Sequence, residues 1–261
     1  MIRFLIYMVV LSGFWLMSSC RQDTIPDQQK QKTKKTKQAM EKESREKQAA
    51  ETEQEPVLHS KITQELAEMK LQNVKHHISG LIVELKYSTD DNFLGFDVYG
   101  ELTEAYLQPE CIEKLKKAYE LLQEKLPGHT FIIYDAARPL SVQQVMWDSI
   151  DVPGHQKFWY VAPPGKGSIH NYGMAVDLTI ADEQGAALDM GTSYDHFGKL
   201  SFPRYTQKFL EKGKLTQEQA GNRELLTGIM HAAGFTVGRT EWWHFNATSL
   251  EDAKNRFEII K

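Results

Sequence analysis

The chain has 261 residues, a formal net charge of -4 and 41% apolar content. That balance excludes the strongly basic surface of a nucleic-acid binder, so no nucleic-acid partner is expected. It leaves enough apolar sequence for one folded domain with a proper core.

Met1-Ile-Arg3 is a short positive start, and Phe4 to Met17 is an apolar run that ends in Ser18-Ser19-Cys20. The run is short for a membrane span of about 20 residues but right for the core of a signal peptide. Small residues directly before a cysteine resemble the lipobox of bacterial lipoproteins. On that reading residues 1–20 are a leader, and Cys20 becomes a lipidated first residue that attaches the protein to a membrane. An uncleaved anchor with an incidental cysteine is the other reading. Either one puts the folded domain outside the cytoplasm, in the periplasm or on the cell surface. With Cys20 lipidated, Cys111 stands alone and no intrachain disulfide forms.

Residues 21–60 are mostly polar and charged, with a lysine cluster before an acidic-leaning block. No apolar stripe is available to bury, so this segment reads as a tether spanning roughly 30–36 Å. The folded domain is then 61–261.

Within that domain, Ile82 to Tyr87 alternates as a strand with one wet face. Ile112, Leu115, Tyr119, Leu122 and Leu126 follow helical spacing, with Pro109 near the start and Pro127-Gly128 at the close. Cys111 falls in the first turn of that helix and is expected to pack. Phe131–Tyr134 reads as a short buried strand. Ser141–Gln144 reads as a capping box opening the next helix, with Leu140 stapled to Val145. Gly154–Gly167 is irregular, either a wall of a pocket or a plain surface loop. Ala175–Ile180 is a strand, Asn222–Ala233 a helix stopped by Gly234, and Trp242–Phe245 a final strand. The pattern predicts an α+β fold, a mostly antiparallel sheet carrying the functional site with helices packed on it.

Two segments carry the chemistry: Ser168-Ile-His-Asn-Tyr-Gly-Met-Ala-Val-Asp177 and Glu241-Trp-Trp-His244. Two imidazoles (His170, His244) and one carboxylate (Asp177) make a three-ligand set that leaves a zinc ion one open position. A carboxylate nearby that is not a ligand, here Glu241, can then act as base. On a helix, residues seven apart are separated by about 10.5 Å along the axis, too far for His170 and Asp177 to share an ion. On an unbroken strand their odd separation puts them on opposite faces. A bend is therefore required, and Asn171-Tyr172-Gly173 suits it, because Asn and Gly tolerate positive φ. Of the remaining histidines, His231 is expected to pack in its helix and His196 to be partly exposed. His59, His76, His77, His129 and His155 match no ligand spacing.

These motifs resemble the zinc D-Ala-D-Ala dipeptidases, the VanX-like branch of peptidase family M15, which also holds D,D-carboxypeptidases. Ser168-x-His170-x-x-Gly173-x-x-x-Asp177 and Glu241-x-x-His244 match the wider family. Tyr87-Ser-Thr-Asp-Asp-Asn-Phe93, Tyr134-Asp-Ala-Ala-Arg-Pro139 and Met190-Gly-Thr-Ser-Tyr-Asp195 match the dipeptidase branch. The resemblance runs from about Val74 to Phe257. It implies the fold of the Hedgehog and D,D-peptidase group, with one Zn2+ per chain on His170, Asp177 and His244. It makes Glu241 both base and acid, and puts Arg138 over the scissile carbonyl. It further implies that Asp195 helps hold the substrate's amine and Ser168 its carboxylate. Taken singly, Arg138 reads equally well as a surface ion pair, Asp195 as a turn former and Ser168 as a turn hydroxyl. Ala137 departs from the family, where many relatives carry an aromatic residue before the arginine.

The expected activity is zinc-dependent cleavage of the D-Ala-D-Ala dipeptide to two D-alanines, in cell-wall peptide turnover or salvage. The alternatives are a D,D-carboxypeptidase or other peptidoglycan peptidase acting on longer stems, and a noncatalytic wall-binding lipoprotein.

Overall fold

The computed structural model describes residues 64–261. The expectations for residues 1–20, Cys20 and the tether therefore lie outside the described residues. Among the described residues, no helix is long and apolar enough to cross a membrane.

The architecture is α+β. Among the described residues, seven short strands form two sheets: β1 (Gln72–Asn73), β2 (Ile82–Val83), β3 (Tyr106–Leu107), β4 (Thr130–Asp135), β5 (Ala175–Ala181), β6 (Thr236–Val237) and β7 (His244–Asn246). β1 and β3 pair with each other. The main sheet runs β2-β4-β5-β7-β6, parallel between β2 and β4 and antiparallel elsewhere. The mostly antiparallel sheet expected from sequence is thus present.

Alternation along β4 and β5 divides the sheet into two faces. Phe131 and Ile133 on β4, Val176, Leu178 and Ile180 on β5, and Phe245 on β7 all belong to the main core. α1 (Pro109–Lys125) and α4 (Gln217–Ala232), the latter following the short α3 (Thr206–Glu211), lie against each other, and α1 also packs on β4. Ile112, Leu115 and Leu122 are buried on α1, as the helical spacing predicts, and Cys111 is packed among them. The chain leaves the helix at Leu126, ahead of Pro127 and of Gly128 with φ 85.

Some elements differ from expectation. Only Ile82–Val83 pairs as a strand; the chain then turns into a 3-10 segment at Lys86–Ser88. Leu85 and Tyr87 are nonetheless buried with Glu84 exposed, so the expected alternation survives although the backbone has left the strand. The helix α2 (Leu140–Ser149) has Pro139 as its N-cap, and no side chain caps it. Its first amide, on Leu140, instead donates to the Ile260 carbonyl at 2.8 Å, so the chain's own C-terminal segment does the capping. Val145 is exposed, which removes the expected staple. α4 begins five residues earlier than Asn222, because Thr216 and Gln219 form a reciprocal capping box. His231 lies exposed in the last turn of α4 and is not packed.

Candidate metal centre and active site

The bend required between His170 and Asp177 is a 3-10 turn, Ile169–Tyr172, closed by Gly173 at φ 65. A Cβ at Gly173 would meet Leu71 Cδ2 at 2.4 Å, so the position excludes a side chain for space as well as for backbone conformation. The turn brings the chain back as β5 with Asp177 on the face away from the helices. On β7, His244 is the direct antiparallel partner of Asp177, so the two share that face. Register between neighbouring strands therefore supplies two ligand candidates, and the turn supplies the third.

His170 Nε2 lies 3.0 Å from His244 Nδ1 and 3.3 Å from Asp177 Oδ1, and His244 Nδ1 lies 2.9 Å from Asp177 Oδ1. Ligand atoms around a tetrahedral zinc stand about 3.3–3.5 Å apart, so outward movement of a few tenths of an ångström admits the ion. The tautomers agree with this. His170 Nδ1 donates to the Ala136 carbonyl at 2.7 Å, and His244 Nε2 donates to Asn246 Oδ1 at 2.9 Å. Each ring thus has its proton on the outer nitrogen and turns a lone pair inward. Two inward lone pairs and a carboxylate at this separation repel unless a cation lies among them. Burial raises the Asp177 carboxyl, whereas positive charge on the side of the two histidines brings it well below the usual range. Among the described residues, these three form the group suited to hold a metal ion.

Glu241 stands in the turn just ahead of β7 and lines the same cavity, of about 480 Å³. Burial pushes its carboxyl up to about 8, with the Asp177 and Asp195 charges adding to the effect and His244 and Arg138 opposing it. Such a group accepts a proton readily near neutral pH.

Arg138 is buried, and Asp135 determines where it points. Arg138 Nε donates to Asp135 Oδ2 at 2.9 Å and Nη2 donates to the same oxygen. Its guanidinium also lies 5.3 Å from the Tyr87 ring centre and 3.9 Å from Asp177 Oδ2. Burial works against its charge, but Asp135 keeps it fully protonated. Asp135 reaches this face through an irregularity. Ile132 pairs with Thr179 and Ile133 with Leu178, yet Asp135, not Tyr134, pairs with Asp177. One extra residue at Tyr134 reverses the alternation and turns Asp135 from the helix side to the site.

Asp195 is held at φ 57, accepting from Tyr87 Oη at 3.0 Å and from the Phe93 amide at 3.3 Å. Burial raises its carboxyl to about 7 in spite of these bonds. Next to it, Tyr194 Oη donates to Asp177 Oδ2 at 3.0 Å. Ser168 also lines the cavity, but its hydroxyl donates to Gln143 Oε1 at 2.7 Å. Its one proton is therefore engaged inside the protein. The loop from Gly154 to Gly167 contributes Phe158, Trp159 and Tyr160 to the cavity wall, the first of its two expected readings.

Asp135 and Tyr87 lie in the sequence motifs with no role expected of them, and Asn171 is expected only to favour the bend. Fully buried Asn171 donates from Nδ2 to the Arg138 carbonyl at 2.8 Å, and the Arg138 amide donates to the His170 carbonyl at 3.1 Å. Arginine and metal-ligand segments are thereby locked together. An unassigned acid three residues before Arg138 was the available signal for Asp135. Asp135→Asn is expected to lower kcat about tenfold or more while bound metal stays at one per chain, because Arg138 loses its anchor. Unchanged kcat in that variant, with metal content measured alongside, would remove Asp135 from the role.

Residues 67–260 match the family model described as D-Ala-D-Ala dipeptidase, Peptidase_M15. The D-alanyl-D-alanine dipeptidase of Escherichia coli K12 is 34% identical over 165 residues, covering 63% of this chain and 78% of its own. That of Synechocystis sp. is 29% identical over 168 residues, covering 54% and 68%. That of Enterococcus faecium is 27% identical over 186 residues, covering 64% and 86%. With the matched region taking in all three metal-ligand candidates, Glu241 and Arg138, the chain belongs to the D-Ala-D-Ala dipeptidase family of M15 peptidases.

Proposed function

We propose that this chain is a zinc-dependent dipeptidase that cleaves D-Ala-D-Ala to two D-alanines. The observation that carries the reading is the convergence of His170 Nε2, His244 Nδ1 and Asp177 Oδ1 beside a raised Glu241 carboxyl. Membership of the family and three dipeptidase relatives support the substrate. Zinc bound by the three ligands supplies Lewis acidity, acidifying water and polarising the scissile carbonyl. Glu241 takes a proton from the attacking water on its carboxylate and passes it to the departing amine nitrogen. Arg138, anchored by Asp135, offers fixed positive charge where negative charge develops, an effect of a few kcal/mol in comparable sites. Asp195, on the wall of the same cavity, receives the substrate's ammonium.

Glu241→Ala is expected to abolish release of D-alanine while the purified protein still holds one zinc. Mass spectrometry of products, with metal analysis on the same samples, measures both. Undiminished turnover would remove Glu241 from the mechanism.

A second reading, a D,D-carboxypeptidase acting on longer stems, draws on one observation. Asp195 also lines a neighbouring cavity of about 460 Å³, with Lys86, Asn92, Tyr134 and Tyr194. Space beyond the amine receiver suits a substrate extended on that side. Products from free dipeptide and from pentapeptide stems separate the two.

Asp195 gives a pH dependence whose sign is fixed. Its carboxyl, raised to about 7, is charged above that pH and neutral below it. KM for D-Ala-D-Ala should therefore rise as pH falls through about 7, approaching tenfold per unit. Asp195→Asn should raise KM and flatten the profile; a wild-type KM constant from pH 5.5 to 8 speaks against this role.

The apolar run ahead of Cys20 supports a location outside the cytoplasm. We propose that Cys20 is lipidated and that the protein works outside the cytoplasm on a membrane, where salvage of dipeptide released from the wall is the natural task. Cys20→Ala should shift the mature protein from the membrane to the soluble fraction, and an unlipidated wild-type protein in the cytosol contradicts the proposal.

A further inference from the structure

A dipeptide zwitterion carries a carboxylate as well as an ammonium, and the cavity offers that carboxylate few free donors. Arg138 spends Nε and Nη2 on Asp135, and the Ser168 proton is given to Gln143. Arg239 lines the same cavity and is exposed, and among the described residues no hydrogen bond or ion pair engages it. Its backbone is nonetheless well placed. It sits in the hairpin loop between β6 and β7, two residues before Glu241 and one after Gly238. The Gly238 amide donates to the His244 carbonyl at 2.7 Å. A Cβ on Gly238 would come within 3.0 Å of His244 Cδ2, so the loop backbone lies against the ring of a metal-ligand candidate. Arg239 is thus a free guanidinium on a base tied to the reaction centre. Asp195 is fixed on a different loop by Tyr87 and Phe93, and it borders the second cavity, which Arg239 does not. Receivers of opposite charge therefore enter one cavity from separate loops.

We propose that Arg239 binds the substrate's terminal carboxylate and makes the enzyme selective for a free C-terminal acid. The proposal rests on the dipeptidase reading for the identity of the substrate. Planar guanidinium matches a carboxylate with two parallel hydrogen bonds, which a lysine at the same position cannot reproduce. Arg239, being exposed, has no packing role whose loss would unfold the domain.

The test compares D-Ala-D-Ala with D-Ala-D-alaninamide, which keeps the ammonium and the scissile bond but lacks the negative terminus. Calorimetric titration of the zinc-loaded Glu241→Gln enzyme reads binding without turnover. The acid should bind roughly 10- to 100-fold more tightly than the amide. Adding Arg239→Gln should erase that preference, and Arg239→Lys should restore part of it. In turnover by the otherwise native enzyme, Arg239→Gln should raise KM for the acid by a similar factor, with kcat within about threefold. Equal affinities for acid and amide, no measurable binding of either, or a preference that survives Arg239→Gln overturns the proposal. A preference that follows Arg239, in an enzyme whose parent releases no D-alanine, leaves the carboxylate subsite standing and removes the dipeptidase reading instead.

Discussion

Three electron-rich atoms, His170 Nε2, His244 Nδ1 and Asp177 Oδ1, are held between 2.9 and 3.3 Å from one another, and the rest of the site is arranged around that crowding. Left alone they repel. Both imidazoles have their protons drawn outward, to the Ala136 carbonyl and to Asn246, so neither ring relieves the repulsion by placing an N–H between them. The fold enforces the approach with its strongest local tool, the antiparallel ladder, by setting Asp177 opposite His244. Only His170 comes from outside the sheet, and a left-handed glycine returns it to the same face. A cation among these atoms converts the repulsion into attraction. Binding of a divalent ion therefore stabilises the domain as well as serving chemistry.

Charge is layered behind that centre. Arg138 lies close to Asp177 but is neutralised from below by Asp135, so the pocket gains a directed cation without an unpaired buried charge. Asp135 is available for this because of the extra residue at Tyr134, which spoils strand alternation where the sheet meets the site. The acids around the cavity divide by environment. Positive charge on the histidine side holds Asp177 low, while burial pushes Glu241 and Asp195, with weaker compensation, up to about 8 and about 7. Separate proton affinities in one cavity allow separate tasks for the three acids.

The loops carrying these groups are tied back to the scaffold. Arg223, buried on α4, donates to the carbonyls of Met190 and Leu200 at 2.6 and 2.8 Å. Trp242 Nε1 reaches Thr192 Oγ1 at 2.8 Å. The segment bearing Tyr194 and Asp195 is thus clasped from the helix layer and from the turn beside Glu241. Precision at the site comes from these ties, since the segment itself forms no regular structure apart from a 3-10 turn at Lys199–Ser201.

Much of this was legible in the chain itself. Residue types and spacing singled out the three ligand candidates that the fold brings together, and the parity of a seven-residue separation demanded a bend that Gly173 closes. Apolar periodicity located α1 and the central strands, because those elements bury one face and local sequence records which. Tertiary structure decided what depends on partners distant in sequence. The capping of α2 by Ile260 and the shortening of β2 around Tyr87 belong to this class. So does the engagement of Ser168 with Gln143, as does the side of the sheet on which Asp135 emerges. Local patterns encode the face an element presents, whereas register shifts and long-range hydrogen bonds are settled only when distant segments compete for the same donors and acceptors.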